Sequence, residues 1–430
     1  MCFEKGNNMW VKFTVAIMTL VFSTAQLAVG ETGLKSVVDY ALKHNRSIKK
    51  SDLQIKEASY AIRETTANGL PRISDSLSYV RAETPKEMYS AGTTLQITQL
   101  LYSQSFWTGL KTAGMVKEMY AIAKTKNEDS VIADVATSYY QAGALLLQKN
   151  TVEKSMKNLK EILRMAELQY DNGFVKQTNV NRLKVTITNL DVTKQTLQNG
   201  IDAQLNYLKA LAGMPLDTVV EIDTNAILNI SETKSPSIEF KLENVPVYQV
   251  VTKQLDVSRQ QVQLAMAQCL PAIVGFGQLK RSGVSAKSDI DNWTNTNAVG
   301  VAMAFPIFTS GGNYAKIRQA MLRRDQIEVD VSQLKDFLRV QFENSVMDLT
   351  TSKKLLDVQK ENRLLAEDVY RQTSLQYQEG MASLADLLNV NSDYLNADNS
   401  YSQQILKCKI SEIKMMKASG VLKQMFTENK

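Results

Sequence analysis

The sequence predicts a mainly α protein with a small β part: long antiparallel helical arms with coiled-coil seams, joined to four β-strands of membrane-crossing length. Three observations carry this reading. Apolar residues recur at three- and four-residue steps over very long stretches, the period changes to two in two separated places, and the whole order occurs twice. The duplication is plainest in Leu168-Gln169-Tyr170-Asp171-Asn172-Gly173, which returns 207 positions later as Leu375-Gln376-Tyr377-Gln378-Glu379-Gly380.

The 430 residues include only 19 Gly and 7 Pro, so the chain is built of few, long elements. A net charge of +6, with Lys and Glu interspersed, argues against a dedicated nucleic-acid binder. Cys2, Cys269 and Cys408 form no C-x-x-C pair, and His44 is the sole histidine. Neither a disulfide framework nor a zinc site is indicated, no cofactor is implied, and His44 reads as a solvated helix residue. Both Cys269 and Cys408 read as buried small apolar residues.

Residues 1–30 read as an export signal. Lys12 precedes the apolar run from Phe13 to Val29, and Ala28-Val29-Gly30 resembles a small-x-small cleavage site. Ser23, Thr24 and Gln26 interrupt that run, which makes it a poor membrane span.

The first repeat occupies 31–213. Leu34 to Asn68 has helical spacing and ends at Gly69-Leu70-Pro71. Ile73, Leu77 and Tyr79 then alternate with serines, and after a polar loop around Pro85, Leu95, Ile97 and Leu101 alternate with Thr94, Gln96 and Thr98. That is a β-hairpin over 71–102. A helix of some 65 residues, about 100 Å long, runs from Tyr102 to Tyr170. Its residues Val152, Met156, Leu159, Leu163 and Ala166 form a coiled-coil seam. A tip turn at 170–173 leads to a helix from about Thr178 to Ala212, stopped by Gly213-Met214-Pro215. Residues 214–243, with Ser235-Pro236, read as an irregular connector with short strands.

The second repeat, 244–430, follows the same order. A helix from Val247 to Cys269 ends at Leu270-Pro271, 200 positions after Leu70-Pro71. A hairpin over 271–308 comprises strands Ile273–Lys280 and Ala298–Phe308, separated by a polar loop with Ser285, Lys287, Asp289 and Trp293. In the later strand Val299, Val301, Met303, Phe305 and Ile307 alternate with small residues. Thr309-Ser310-Gly311-Gly312 opens a helix from about Asn313 to Tyr377, with Ile327, Val331, Leu334 and Leu338 on its seam. The glycine pair lacks the spacing and the Lys-Ser/Thr of a phosphate loop, so it reads as a turn. After the tip turn at 377–380, a last helix runs from about Ser383 to Lys417.

These lengths carry a geometric implication. Two short helices stacked end to end match one long helix, so each half is a hairpin with a composite return arm and a strand pair at the far end. A four-stranded sheet leaves two open edges, and strands of about ten residues suit an outer membrane when tilted. Three copies would share one twelve-stranded barrel and leave no edge.

The paired modules, the Leu70-Pro71 and Leu270-Pro271 strand entries, Phe305-Pro306-Ile307-Phe308-x-x-Gly311-Gly312, and Tyr377-x-x-Gly380-x-x-Ser383-x-x-Asp386-Leu387-Leu388 together resemble the TolC family of outer-membrane efflux proteins. The resemblance covers essentially the whole mature chain. It implies a homotrimer with a twelve-stranded barrel in the outer membrane of a Gram-negative bacterium, in contact with its lipid, and a large periplasmic helical tunnel. It further implies a periplasmic adaptor (membrane fusion protein) and an inner-membrane efflux pump or ABC transporter as partners, in drug efflux or type I secretion. By position in the family, Asp386 is a periplasmic gate residue; Asn389 stands where a second gate carboxylate can occur, and Asn179 holds the matching site of the first repeat. Tyr170, Gly173, Tyr377, Gly380 and Ser383 lie where the family places the tip and its adaptor contact. Arg46 stands where the family often has Pro.

Structural readings stand beside these. Ser383-x-x-Asp386 is also a capping box, and the two tyrosines also suit half-buried packing positions. Two other classes remain open at this stage: a periplasmic adaptor, which four lone strands are too few to build, and a coiled-coil protein without a channel. An enzyme is not expected, for want of a His/Ser/Cys constellation, metal cluster or nucleotide loop.

Overall fold

The computed structural model describes residues 33–83, 87–228, 239–290 and 292–427. The leader expected over 1–30, the Pro85 loop tip and the Ser235-Pro236 turn lie outside the described residues. Helices α1 (Leu34–His44) and α2 (Arg46–Ala67) open the chain. The spacing predicts one continuous helix here, but the structure breaks it at Asn45. That side chain caps α2 by accepting from the backbone N–H of Ser47 at 2.7 Å and of Ile48 at 3.2 Å, and it donates through Nδ2 to the Leu211 carbonyl at 2.6 Å.

Strands β1 (Arg72–Glu83), β2 (Glu87–Ser103), β3 (Ala272–Ser285) and β4 (Trp293–Ala304) form one antiparallel sheet in chain order, with β1 and β4 at its edges. The strands have 12, 17, 14 and 12 residues, longer than the ten expected. Pairing continues beyond the apolar alternation, so Ser285 and Trp293 belong to strands, not to the loop. Strand β4 stops at Ala304 rather than Phe308, because Pro306 lacks the N–H a ladder needs and constrains Phe305 before it.

Directly paired residues share a face, so the registers divide the sheet into a mainly apolar face, with Asp75, Thr93 and Asn297 also on it, and a more polar one, with Val274 and Phe276 also on it. Ile73 and Leu77 of β1, Leu95 and Ile97 of β2, Leu279 of β3, and Val299 and Val301 of β4 line one face. Ser74, Ser76, Thr94, Gln96, Gln278 and Ala298 line the other. Among the described residues no helix is long and apolar enough to cross a membrane. The sheet carries the lipid-compatible surface.

The arms are α3 (Gln104–Asp171), α4 (Gln177–Ala212), α6 (Pro246–Ala267), α7 (Gly312–Gln378) and α8 (Leu384–Ala418). Between α4 and α6 lie the short α5 (Thr224–Leu228) and a 3-10 turn at Leu242–Asn244; no strand occurs among the described connector residues. A terminal helix α9 (Leu422–Thr427), unforeseen in the sequence, folds back onto α3.

The composite return arm is explained by two equivalent joints. At the end of α4, Gly213 adopts φ +74° and sits so close to the α1–α2 junction that an added Cβ would lie 2.6 Å from the His44 carbonyl oxygen. At the end of α8, Gly420 adopts φ +75°, and its Cβ would lie 2.3 Å from the Asn244 carbonyl, just before α6. Only glycine combines that left-handed backbone with so close an approach. The short helices α2 and α4, and likewise α6 and α8, therefore abut end to end.

Two cores hold the arms together. One lies mid-molecule, where α1, α3, α4, α5, α7, α8 and α9 bury Val38, Ile132, Tyr139, Leu208, Ile227, Ile405 and Leu422. Cys408 is buried there, whereas Cys269, expected inside, is only partly covered. The second core lies toward the tips. There Val152, Met156, Leu159, Ile162 and Ala166 of α3, Val180 and Leu183 of α4, Tyr370 of α7 and Leu387 of α8 pack together.

Candidate functional site: the two hairpin tips

Both tips close by the same backbone device. Gly173 and Gly380 adopt φ +79° and +77°. The N–H of Phe174 donates to the Gln169 carbonyl at 2.8 Å and that of Gly173 to Tyr170 at 2.9 Å. Met381 and Gly380 repeat the pattern with Gln376 and Tyr377 at 2.8 and 3.1 Å. These paired bonds satisfy the last helical carbonyls in a Schellman motif, which is why the Tyr-x-x-Gly spacing recurs.

Beyond the glycine the copies diverge. Ser383 caps α8: its Oγ accepts from the Asp386 N–H at 3.2 Å, and the Asp386 carboxylate accepts from the Ser383 N–H at 3.2 Å and from its Oγ–H at 2.6 Å. The Ser383 hydroxyl, then its backbone N–H, hold the Asp386 carboxyl below the usual carboxylate range. The first tip has Lys176 and Asn179 at the matching positions and no side-chain cap on α4. Asp386 and Asn389 are exposed, while Asn179 is half-buried.

The tyrosines also differ. Tyr377 packs against the tip core, and burial raises its phenol pKa, whereas Tyr170 is largely exposed. Sequence reasoning missed the residues next to the glycines. Phe174 is 81% exposed and Met381 70% exposed, so each tip presents a bare apolar side chain to solvent. Apolar periodicity carries no signal for them, because both lie in the turn beyond the helical seam. Behind the tips, Ser155 donates to Asn391 at 2.6 Å, a buried bond tying α3 to α8. The tips thus combine rigid turns, exposed apolar ends and three exposed acidic residues, Asp171, Glu379 and Asp386, of which only Asp386 opens a return helix. Among the described residues no His/Cys/Asp/Glu group could hold a metal ion.

The chain matches the model of the outer membrane efflux protein family over residues 37–214 and 239–421. It belongs to that family. The two matched segments fall on the two halves of the fold and skip the connector between them. Relatives of this efflux protein include the outer membrane efflux protein BepC of Brucella suis, 20% identical over 92% of this chain and 87% of that one. The outer membrane protein TolC of Vibrio cholerae is 20% identical over 96% of both chains. Among solved structures, the outer membrane protein VceC of Vibrio cholerae superposes with a TM-score of 0.72 at 16% identity, covering 90% of this chain and 96% of that one. At such identity the likeness concerns the fold. Family membership places the efflux protein in the outer membrane, as an exit duct with a large periplasmic portion.

Proposed function

We propose that three copies of this chain close a single twelve-stranded barrel and a continuous helical tunnel, forming a passive conduit that a periplasmic adaptor couples to an inner-membrane pump or ABC transporter. One observation carries the reading: the four-stranded sheet has one apolar face and two unpaired edges, β1 and β4. Such a sheet is unsatisfied in lipid until its edges pair with further strands. The helical arms support it. Leu322 and Val329, and Val340 and Met347, on α7 are exposed at seven-residue steps, as are Leu53 and Tyr60 on α2 and Val185 and Val192 on α4. Apolar rows at that spacing are unfilled coiled-coil seams.

In this assembly six tips ring the periplasmic mouth. Asp386 supplies three carboxylates around the axis, with Asn389 and Asn179 as its uncharged neighbours, and Tyr170, Gly173, Tyr377, Gly380 and Ser383 shape the surface that meets the adaptor. Like charges gathered on an axis attract cations. The reading involves no enzymatic step, no cofactor and no nucleic acid.

The test is purification of the mature protein in detergent, mass measurement, and reconstitution in a planar bilayer. The expected result is a particle of three chains with small, discrete openings. A monomer without conductance would overturn the assembly.

A further inference from the structure

On the apolar face of the sheet, Arg281 is an exposed cation in the half of the strands nearer the β-hairpin tips. Arg281 of β3 is level with Thr93 of β2 and Asn295 of β4, and Asn295 is nine residues above Ala304, the foot of β4. A strand rising about 3.3 Å per residue and tilted about 40° climbs about 23 Å in that distance, close to the ~25 Å height of the apolar band of an outer-membrane barrel. The Arg281 guanidinium stands 5.2 Å from the ring centroid of Trp293, two residues farther up β4. Tryptophan is the interfacial aromatic of membrane proteins, and a stacked arginine keeps its donor fork free.

Charge decides what that fork takes. Among the described residues Arg281 has no carboxylate in ion-pair range, unlike Arg81 nearer the hairpin tip, which is paired with Glu83 and Glu87. The carboxylate one level lower on the same face, Asp75, lies two strands away and accepts from Thr93 Oγ1 at 2.9 Å. We propose that Arg281, backed by Trp293, binds the phosphate of an anionic lipid headgroup in the outer leaflet, which in an outer membrane is a phosphorylated glycolipid. A planar fork of N–H donors suits a phosphate, and a partly dehydrated interface strengthens the pairing. The proposal rests on the outer-membrane reading above.

The test uses the purified assembly in micelles doped with bisphosphorylated lipid A, with dephosphorylated lipid A, or with phosphatidylethanolamine, and counts retained lipid by native mass spectrometry. The wild type should retain the bisphosphorylated form, with Arg281→Gln binding it about fivefold more weakly. Arg281→Lys should fall between them, and Arg81→Gln should match the wild type. Equal retention by Arg281→Gln, equal retention of dephosphorylated lipid, or displacement by millimolar inorganic phosphate would each overturn the proposal. A protein that enters no vesicle of any composition would instead overturn the outer-membrane reading beneath it.

Discussion

Arg363 Nε donates to Asp398 Oδ1 at 2.7 Å across the α7–α8 interface, and Asp398 is 5% exposed. The Arg363 guanidinium also lies 5.5 Å from the ring centroid of Tyr401 and 3.6 Å from Glu367. A pair this dry is a poor net stabiliser, but breaking it strands a charge. Asp398→Leu is therefore expected to destabilise the protein by about 3 kcal/mol, while the double replacement Arg363→Leu with Asp398→Leu recovers most of that. Thermal unfolding of the four members of this cycle decides the matter. If the double variant is as unstable as the sum of the singles, the residues do not act as a pair.

The end-to-end joints make a sharper prediction about glycine. Gly173 has open space where a Cβ would go, so Gly173→Ala should cost only the left-handed backbone penalty of about 1–2 kcal/mol. Gly213→Ala has the same penalty plus a backbone carbonyl in the way, and a backbone carbonyl does not rotate aside like a side chain. Its melting temperature should fall by at least twice as much. Equal shifts would show that the joint between α4 and the α1–α2 junction opens freely.

Asp129 sets a pH dependence. Its carboxyl is 4% exposed, and its pKa rises to about 6, chiefly through burial. Lys423 and Lys417 oppose that shift, as does the Lys423 N–H that the carboxylate accepts, while Glu128 adds to it. Because the folded pKa is raised, the folded state holds this proton more tightly than the unfolded chain. This group then makes the protein less stable as pH climbs from about 4 to above 6, by roughly 2–3 kcal/mol in total. Asp129→Asn should raise the melting temperature at pH 7.5 and leave it nearly unchanged at pH 4. A variant equally stabilised at both values would disprove the titration.

Much of this was legible in the sequence, for a physical reason. A sheet with one lipid face and a helix with one buried seam each impose their own period on the residues, so the switch from 3.6 to 2 and back marked both hairpins. The break at Asn45 left no such mark. Apolar spacing runs straight through it from Leu42 to Ile48, and Asn45 at the break joins a local cap on Ser47 and Ile48 to a bond with Leu211, 166 positions away. The Arg363–Asp398 pair was hidden likewise, since charged residues 35 positions apart on two helices look like solvated faces until the hairpin folds. At the tips the turns were legible from Tyr-x-x-Gly, but the exposed Phe174 and Met381 were not. Periodicity reports which residues are buried, and these two matter by being bare.

The inequality of the two tips yields a last prediction. Ser383 and Asp386 cap α8 reciprocally, so Ser383→Ala and Asp386→Ala should loosen its first turn alike, seen as equal increases in amide exchange at residues 384–387. Only Asp386 carries charge, so only its loss should change conductance and block by divalent cations if it lines the mouth. The hydrogen bonds from Ser383 depress its pKa, which means its share of stability is complete above the ordinary carboxylate range and is lost only as pH falls below it. The conductance difference should therefore be constant from pH 5 to pH 8. If Ser383→Ala alters divalent block as much as Asp386→Ala does, the effect belongs to the shape of the turn and Asp386 is a cap alone.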